Sequence, residues 1–318
     1  MVHPWTGQTE EVAGGSGFAI REDGVIMSNA HVVHPPGMPM KRVSYTVHFD
    51  DGRCYQAKLI GADRLSDIAV LQAVPANPGD RWSALKFAAA GSAAPGDAVA
   101  ALGCPFGGRL AISTGVVSSQ YYVADDSGLA SVMPAGMLST ALMQFDSPIV
   151  SGNSGGPIVN ACGEVVGIAA MSKNSVRESV YLGITAEHAN AIAGQLLDQG
   201  KVQRPLLGVR VMNFDRVRWA QVAAQMQRNS ALGVAPAGPP ANVHHGLLVM
   251  EVAPASPAFT AGLQPRDVII GVNGHPAGTK GDLYAAVGPV YVKGHKLTVD
   301  VIRGEQRLQL AIVPTCRA

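Results

Sequence analysis

Glycine and proline cut the first 185 residues into short apolar runs, and this punctuation limits the fold more than any other feature. Residues 18–20 and 25–27 flank a Glu22-Asp23-Gly24 turn. Residues 43–49 and 55–60 flank Asp50-Asp51-Gly52, and Val43, Tyr45, Val47 and Phe49 alternate along one face. A period of two is that of a half-buried antiparallel strand. Further runs fall at 68–71, 99–102, 110–117, 143–146, 164–169 and 180–184, with a weaker one near 85–87. About a dozen short strands in this span predict a sandwich or a pair of barrels. The 37 glycines and 21 prolines suit strands joined by turns better than a helical bundle.

A helix is expected at 186–199, where Ile192, Leu196 and Leu197 recur at helical spacing and Gly200 can close the C-terminus. Lys201-Val202-Gln203-Arg204-Pro205 reads as a linker. Two domains follow, 1–204 and 205–318. The second is smaller, with strands at 206–211, 246–252, 267–272, 296–302 and 306–312. Helices are expected at 217–226, 256–262 and 280–287. Residues 120–140 read as a polar loop of small residues, either bordering a cleft or serving only as a connection.

The chain has 47% hydrophobic and 15% charged residues, enough to build a core and too few charges for disorder. A net charge of +1 without a basic run leaves no nucleic-acid footprint. Cys54, Cys104, Cys162 and Cys316 form no Cys-x-x-Cys pair, so zinc and dithiol chemistry are not expected, and free buried thiols are. His244 and His245 are adjacent, and two neighbouring side chains rarely converge on a metal; no metal and no cofactor are expected. No apolar stretch approaches the roughly 18 residues of a membrane span. The N-terminus shows no export signal. A cytoplasmic location follows if Met1 is the native start, and a periplasmic or other extracytoplasmic one if an export segment has been removed.

One stretch serves no core: Gly152-Asn153-Ser154-Gly155-Gly156-Pro157, just before an apolar run. A serine between glycines can present its hydroxyl to a substrate while backbone N–H groups aim at the same point, as a nucleophile and its oxyanion hole require. A glycine-rich turn is the plainer reading, and the residues upstream weigh against it. His31 follows a strand within Ser28-Asn29-Ala30-His31-Val32-Val33. Asp67 directly precedes the apolar run 68–71, where an unpaired carboxylate would be costly and an imidazole N–H would satisfy it. The order His31, Asp67, Ser154 is one in which the serine-protease triad recurs. In that reading Ser154 is the nucleophile, His31 the general base and Asp67 its orienting partner, with Gly152 and Ser154 N–H groups forming the oxyanion hole.

At this point the sequence resembles the HtrA/Deg family, trypsin-fold serine proteases carrying a C-terminal PDZ domain. The resemblance rests on Gly15-Ser16-Gly17-Phe18, Ser28-Asn29-Ala30-His31-Val32-Val33, Asp67-Ile68-Ala69-Val70-Leu71, Leu102-Gly103-Cys104-Pro105-Phe106-Gly107 and the stretch 144–157. In the second half it rests on Leu206-Leu207-Gly208-Val209, Ala255-Ser256-Pro257-Ala258, Ala261-Gly262-Leu263, Asp267-Val268-Ile269-Ile270 and Asn273-Gly274. It implies a mainly β fold, a two-barrel chymotrypsin/trypsin-like protease domain followed by a small PDZ domain. It implies proteolysis of unfolded or damaged proteins, a trimeric assembly, and capture of C-terminal peptide ends by the PDZ domain. Carried over by motif, Val180, Tyr181, Leu182 and Gly183 line the specificity pocket, where the absence of an acidic residue suits small aliphatic side chains. Leu207, Gly208 and Val209 would cradle a terminal carboxylate. The family pattern has glycine where this chain has Arg266. Two other readings stay open: a PDZ peptide-binding or chaperone-like protein whose protease domain rests inactive, and an esterase using the same triad.

Overall fold

The computed structural model describes residues 14–34, 43–122, 140–174, 179–216, 219 and 243–317. The chain divides into two compact units, Met1–Val202 and Gln203–Ala318.

The first unit opens with β1 (Phe18–Ala19), β2 (Val25–Ser28), the one-turn helix α1 (Ala30–Val33), β3 (Tyr45–His48), β4 (Cys54–Asp63) and β5 (Ile68–Ala73). These strands form an antiparallel sheet in the order β1-β2-β5-β4-β3. The central strand β5 carries Ile68, Ala69 and Val70, all fully buried. Phe49, Tyr55 and Trp82 pack ring against ring at the edge of this sheet.

Six more strands follow: β6 (Ala98–Gly103), β7 (Ala111–Tyr122), β8 (Ala141–Phe145), β9 (Pro157–Val159), β10 (Val165–Asn174) and β11 (Ser179–Thr185). They close into a barrel in the order β10-β11-β8-β7-β6-β9. Closure leaves no unpaired strand edge. Its interior is filled by Val99, Met143, Phe145, Ile149 and Ile158. Helix α2 (Ala186–Gln199) then packs Ala189, Ile192 and Leu196 inward. It stops at Gly200, whose φ of 68° lets its N–H reach the Leu196 carbonyl at 2.9 Å.

The second unit contains β12 (Arg204–Leu206), β13 (Val209–Asp215), β14 (His245–Val252), α3 (Pro257–Thr260), β15 (Val268–Val272), β16 (His275–Pro276), α4 (Lys280–Val287), β17 (Leu297–Arg303), β18 (Gln306–Ile312) and β19 (Thr315–Arg317). Strands β13-β14-β15-β17-β18 make one sheet with β16 beside β15, and β12 pairs with β19. The core is Leu247, Val249, Ile269, Leu283, Leu297 and Val299, with α4 laid on it through Leu283 and Val287. Helix α4 begins with a capping box in which Thr279 and Asp282 each bond the other's backbone N–H.

Four expectations need correction. The run 206–211 is not one strand, because Leu207 and Gly208 break it and Gly208 has φ 73°. Residues 85–87 give only an isolated bridge, between Phe87 and Val165. The segment 120–140 is not loop from its start, since β7 runs through Tyr122, and residues 123–139 lie outside the described residues. The cysteines are free, yet none is buried: Cys54 and Cys162 are exposed, Cys104 and Cys316 half-buried. The expected helix at 217–226 falls almost wholly outside the described residues. Among the described residues no helix is long and apolar enough to cross a membrane, and no three His, Cys, Asp or Glu side chains gather as a metal site.

Candidate active site and peptide cradle

Asp67 sits at the end of the turn between β4 and β5 and takes a left-handed φ of 57°. Aspartate tolerates that region better than most residues because its short polar chain can bond locally. The strand behind it is buried, so the turn cannot shift outward without exposing Ile68. Asp67 is thereby held against the residues that follow β2. Its Oδ2 lies 2.8 Å from His31 Nδ1, and its Oδ1 accepts the His31 backbone N–H at 2.9 Å. Its carbonyl accepts the Ala30 N–H at 3.1 Å and Asn29 Nδ2 at 2.9 Å. The carboxylate side chain is only 9% exposed while the imidazole is 42% exposed, so one partner is anchored and the other faces the substrate side. A ring whose Nδ1–H is taken by a carboxylate keeps Nε2 as its free acceptor.

His34, three residues on, has its pKa lowered by burial first and by the nearby Arg64 charge second. Both effects favour its neutral form, which suits a position close to the apolar Val33.

Ser154 is carried by the loop between β8 and β9, and main-chain ties hold that loop on both flanks. On one side Gly155 N–H donates to the Ala169 carbonyl at 2.8 Å and Ala169 N–H to the Gly156 carbonyl at 2.9 Å, which fixes the loop to β10. On the other, Ser16 N–H donates to the Ser154 carbonyl at 2.8 Å, and Ser16 Oγ donates to the Gly152 carbonyl at 2.6 Å. The loop also lies against the strand end that leads to His31. A methyl group on Gly155 would come within 2.4 Å of Ser28 Oγ and 3.0 Å of Asn29 N. The side chains of Ser154 and His31 are not hydrogen-bonded to each other in this resting structure, a contact that often tightens only when substrate binds.

Backbone donors along this loop divide cleanly. The N–H groups of Asn153, Gly155 and Gly156 donate to the carbonyls of Val150, Ala169 and Asn153. Those of Gly152 and Ser154 donate to none of the described residues. Gly152 makes this possible: its φ is 102°, and a Cβ there would stand 2.4 Å from the Cys104 carbonyl oxygen.

Val180, Tyr181, Leu182 and Gly183 all lie on β11. Tyr181 packs on Phe145 with ring centroids 6.3 Å apart, and Leu182 is buried. The strand in direct contact with the serine loop is β10, through Ala169, and β11 stands behind it with Leu182 paired to Met171. Ala169 thus adjoins the serine loop and escaped the sequence reading, since a small residue in an apolar run carries no signal of its own. No acidic residue occurs between Val165 and Met171 or in Val180–Gly183. A cavity of about 240 Å³ elsewhere in this unit is lined by Ala88, Ala93, Gln120, Leu142 and Glu187, and none of the candidate site residues lines it.

In the second unit Leu207 and Gly208 form the loop before β13, and Val209 starts that strand. The loop is pinned from behind: the Leu207 carbonyl accepts Ala258 N–H at 3.0 Å and the Gly208 carbonyl accepts Ala253 N–H at 2.8 Å. The N–H groups of Leu207 and Gly208 donate to none of the described residues. Among the described residues strand β13 is the edge of its sheet, paired only with β14. Lys280 N–H donates to Asn213 Oδ1 at 2.8 Å and ties the start of α4 to that strand. Leu207, Val209 and Val211 pack onto the same core as Leu283 and Val287 of α4. His244 and His245 sit on the exposed side of β14's start and form no metal cluster among the described residues.

A buried ion pair stiffens this unit. Asp267 is 1% exposed and takes Arg303 Nε at 2.8 Å and Nη2 at 2.7 Å. The same guanidinium reaches the Gly262 carbonyl at 2.7 Å, and the hydrogen bond to Asp267 raises the Arg303 pKa further. Arg266, just before, holds φ 77°, the backbone shape that glycine adopts without strain.

Comparison with known proteins assigns a family model to each unit. The model of the trypsin-like peptidase domain matches residues 15–168, and that of the PDZ domain residues 205–313. The protein named "Putative serine protease HhoA" of Synechocystis sp. is 32% identical over 301 residues, which is 94% of this chain and 69% of that protein. "Serine protease HTRA2, mitochondrial" of Bos taurus is 30% identical over 322 residues, covering 98% of this chain and 62% of its own length. The chain thus spans less than two thirds of that relative. Among solved structures, "HtrA-type protease AlgW with decapeptide" superposes with a TM-score of 0.67 at 25% identity, covering 96% of this chain and 83% of that one.

Proposed function

The chain belongs to the HtrA family of serine proteases, and from that premise we propose that it is a serine endopeptidase whose PDZ unit captures C-terminal peptide ends. The observation that carries the reading is the pairing of the His31–Asp67 contact with two unspent N–H groups, those of Gly152 and Ser154, on the adjoining serine loop.

The chemistry follows from those parts. Ser154 Oγ attacks the scissile carbonyl carbon while His31 Nε2 takes its proton. Asp67 holds the imidazole in the needed tautomer and stabilises the imidazolium. The developing oxyanion lies on the N–H groups of Gly152 and Ser154, which donate to none of the described residues and so are available to it. Collapse breaks the C–N bond as His31 passes its proton to the leaving amine. Water then repeats the sequence on the acyl-enzyme. The uncharged walls offered by β10 and β11 suit a small aliphatic side chain on the acyl side.

In the second unit a peptide end would lie along the open edge of β13 as an added strand, its carboxylate on the N–H groups of Leu207 and Gly208, its last side chain toward α4. An exposed polypeptide end is a mark of an unfolded or cleaved chain, which fits a role in removing damaged proteins. We take the working assembly to be a trimer, as the family resemblance implies.

The test is degradation of casein by the wild type and by Ser154→Ala, with and without a peptide ending in a free apolar residue. We expect cleavage by the wild type, faster with peptide, and a loss of about 10⁴-fold or more in the variant. Wild type that binds the peptide but never cleaves casein would favour a peptide-binding protein with an idle protease unit. Hydrolysis of small esters without casein cleavage would favour an esterase.

A further inference from the structure

Phe106 is the most exposed large apolar side chain among the described residues, at 82%, and its φ of 53° is one that a bulky residue adopts only under strain. It sits in the short 3-10 turn Pro105–Gly107 that follows β6. Nothing in the core calls for an aromatic there, and asparagine or glycine would hold the same backbone more easily. Strain of this kind collects where function requires it.

The turn is joined to the serine loop. Phe106 N–H donates to the Ser151 carbonyl at 3.0 Å, and a Cβ on Gly152 would stand 2.7 Å from Phe106 N. The ring is thus carried within one residue of a donor of the oxyanion hole. Its side of the hole is also defined. Cys104 N–H donates to Ser16 Oγ at 2.9 Å, and that hydroxyl donates to the Gly152 carbonyl. Gly15, next to Ser16, lies against Val32, the neighbour of His31, where a methyl group would come within 2.7 Å. Strand β10 borders the opposite flank, through Gly155 and Gly156. The leaving amine must take its proton from His31, so the leaving half of the substrate departs on the His31 side, the side to which Gly15 and Ser16 tie the Cys104–Phe106 turn.

We propose that Phe106 is a specificity-determining residue for the leaving-group side of the substrate, packing against an apolar side chain one or two residues after the scissile bond. Val150, 43% exposed, stands just before Ser151, whose carbonyl accepts the Phe106 N–H. This rests on the peptidase reading. The contact acts in acylation, when the Ser154 Oγ–carbon bond forms and the C–N bond breaks. It is absent in deacylation, because the leaving peptide has gone.

The experiment uses the full chain and quenched-fluorescence peptides with one common acyl side, carrying either leucine or glycine at the two positions after the scissile bond. A nitrophenyl ester of the same acyl side reports on the hole alone. The wild type should prefer the leucine peptide by about tenfold in kcat/KM. Phe106→Ala should bring that ratio near one, and Phe106→Leu should restore most of it. A ratio unchanged in Phe106→Ala overturns the proposal. A fall in ester hydrolysis as large as the fall on the leucine peptide also overturns it, since Phe106 would then only brace the loop. Wild type that hydrolyses neither peptide overturns the peptidase reading itself, and this proposal with it.

Discussion

The serine loop of the first unit and the Leu207–Gly208 loop of the second use one backbone device. Each places a glycine at positive φ, 102° for Gly152 and 73° for Gly208, and each leaves two successive or near-successive N–H groups without an acceptor among the described residues. Successive free N–H groups of this kind suit a negatively charged oxygen. They differ in what stands beside them. The first has a serine hydroxyl and a carboxylate-held imidazole; the second has an open strand edge and an apolar face under α4. On the proposed function, the same cradle would stabilise a transition state in one place and hold a finished carboxylate in the other. The donors alone do not separate catalysis from binding.

The two well-buried aspartates repeat the contrast. Asp67 is paired with a histidine that can exchange its proton, and Asp267 with an arginine that cannot. Changing each should break different things. Asp67→Asn keeps a residue that tolerates φ 57° but loses control of the imidazole tautomer. We expect kcat to fall by about 10⁴-fold with little change in the urea midpoint, read by peptide hydrolysis and by fluorescence unfolding. Arg303→Met strands a buried carboxylate. The second unit should lose about 3 kcal/mol, the lower end of the usual range, because the guanidinium is partly exposed and water can reach the gap. If Arg303→Met unfolds at the wild-type urea concentration, the pair is ornamental and the contrast fails.

Adding one methyl group to each cradle sharpens the first comparison. Gly152→Ala drives a Cβ toward the Cys104 carbonyl and displaces a donor from the hole, at a cost of about 10²–10³-fold in kcat. Gly208→Ala drives a Cβ to 2.2 Å from Ser256 Cβ. It should weaken capture of C-terminal peptides by about tenfold or more, measured by fluorescence anisotropy, and leave ester hydrolysis at Ser154 as it was. Equal losses of both activities in both variants would show that the loops are not separate devices. The smallest effect is at Arg266. Arg266→Gly relieves a strained φ but adds unfolded-chain entropy, for a net gain of about 0.5 kcal/mol by calorimetry.

Much of this was legible in the chain as written. Period-two runs and glycine turns gave most strands of both units, and helix α2 with its Gly200 cap was readable to the residue. A signal failed where a residue had two jobs. Gly208 fell inside the expected strand 206–211, yet its positive φ ends one strand and starts another. Arg266 departs from the glycine of the family pattern while the backbone keeps the glycine conformation, a state that no propensity would predict.

The sequence by itself determined the residue types, His31, Asp67 and Ser154 in that order, and the two glycine loops, because turn chemistry and alternation are local. Only the tertiary structure decided that Asp67 reaches His31, that Ala169 pins the serine loop to β10, and that Phe106 stands exposed beside Gly152. Asp67 and His31 stand 36 positions apart, and all three contacts are made by the packing of strands and loops distant in the chain, which no local pattern encodes.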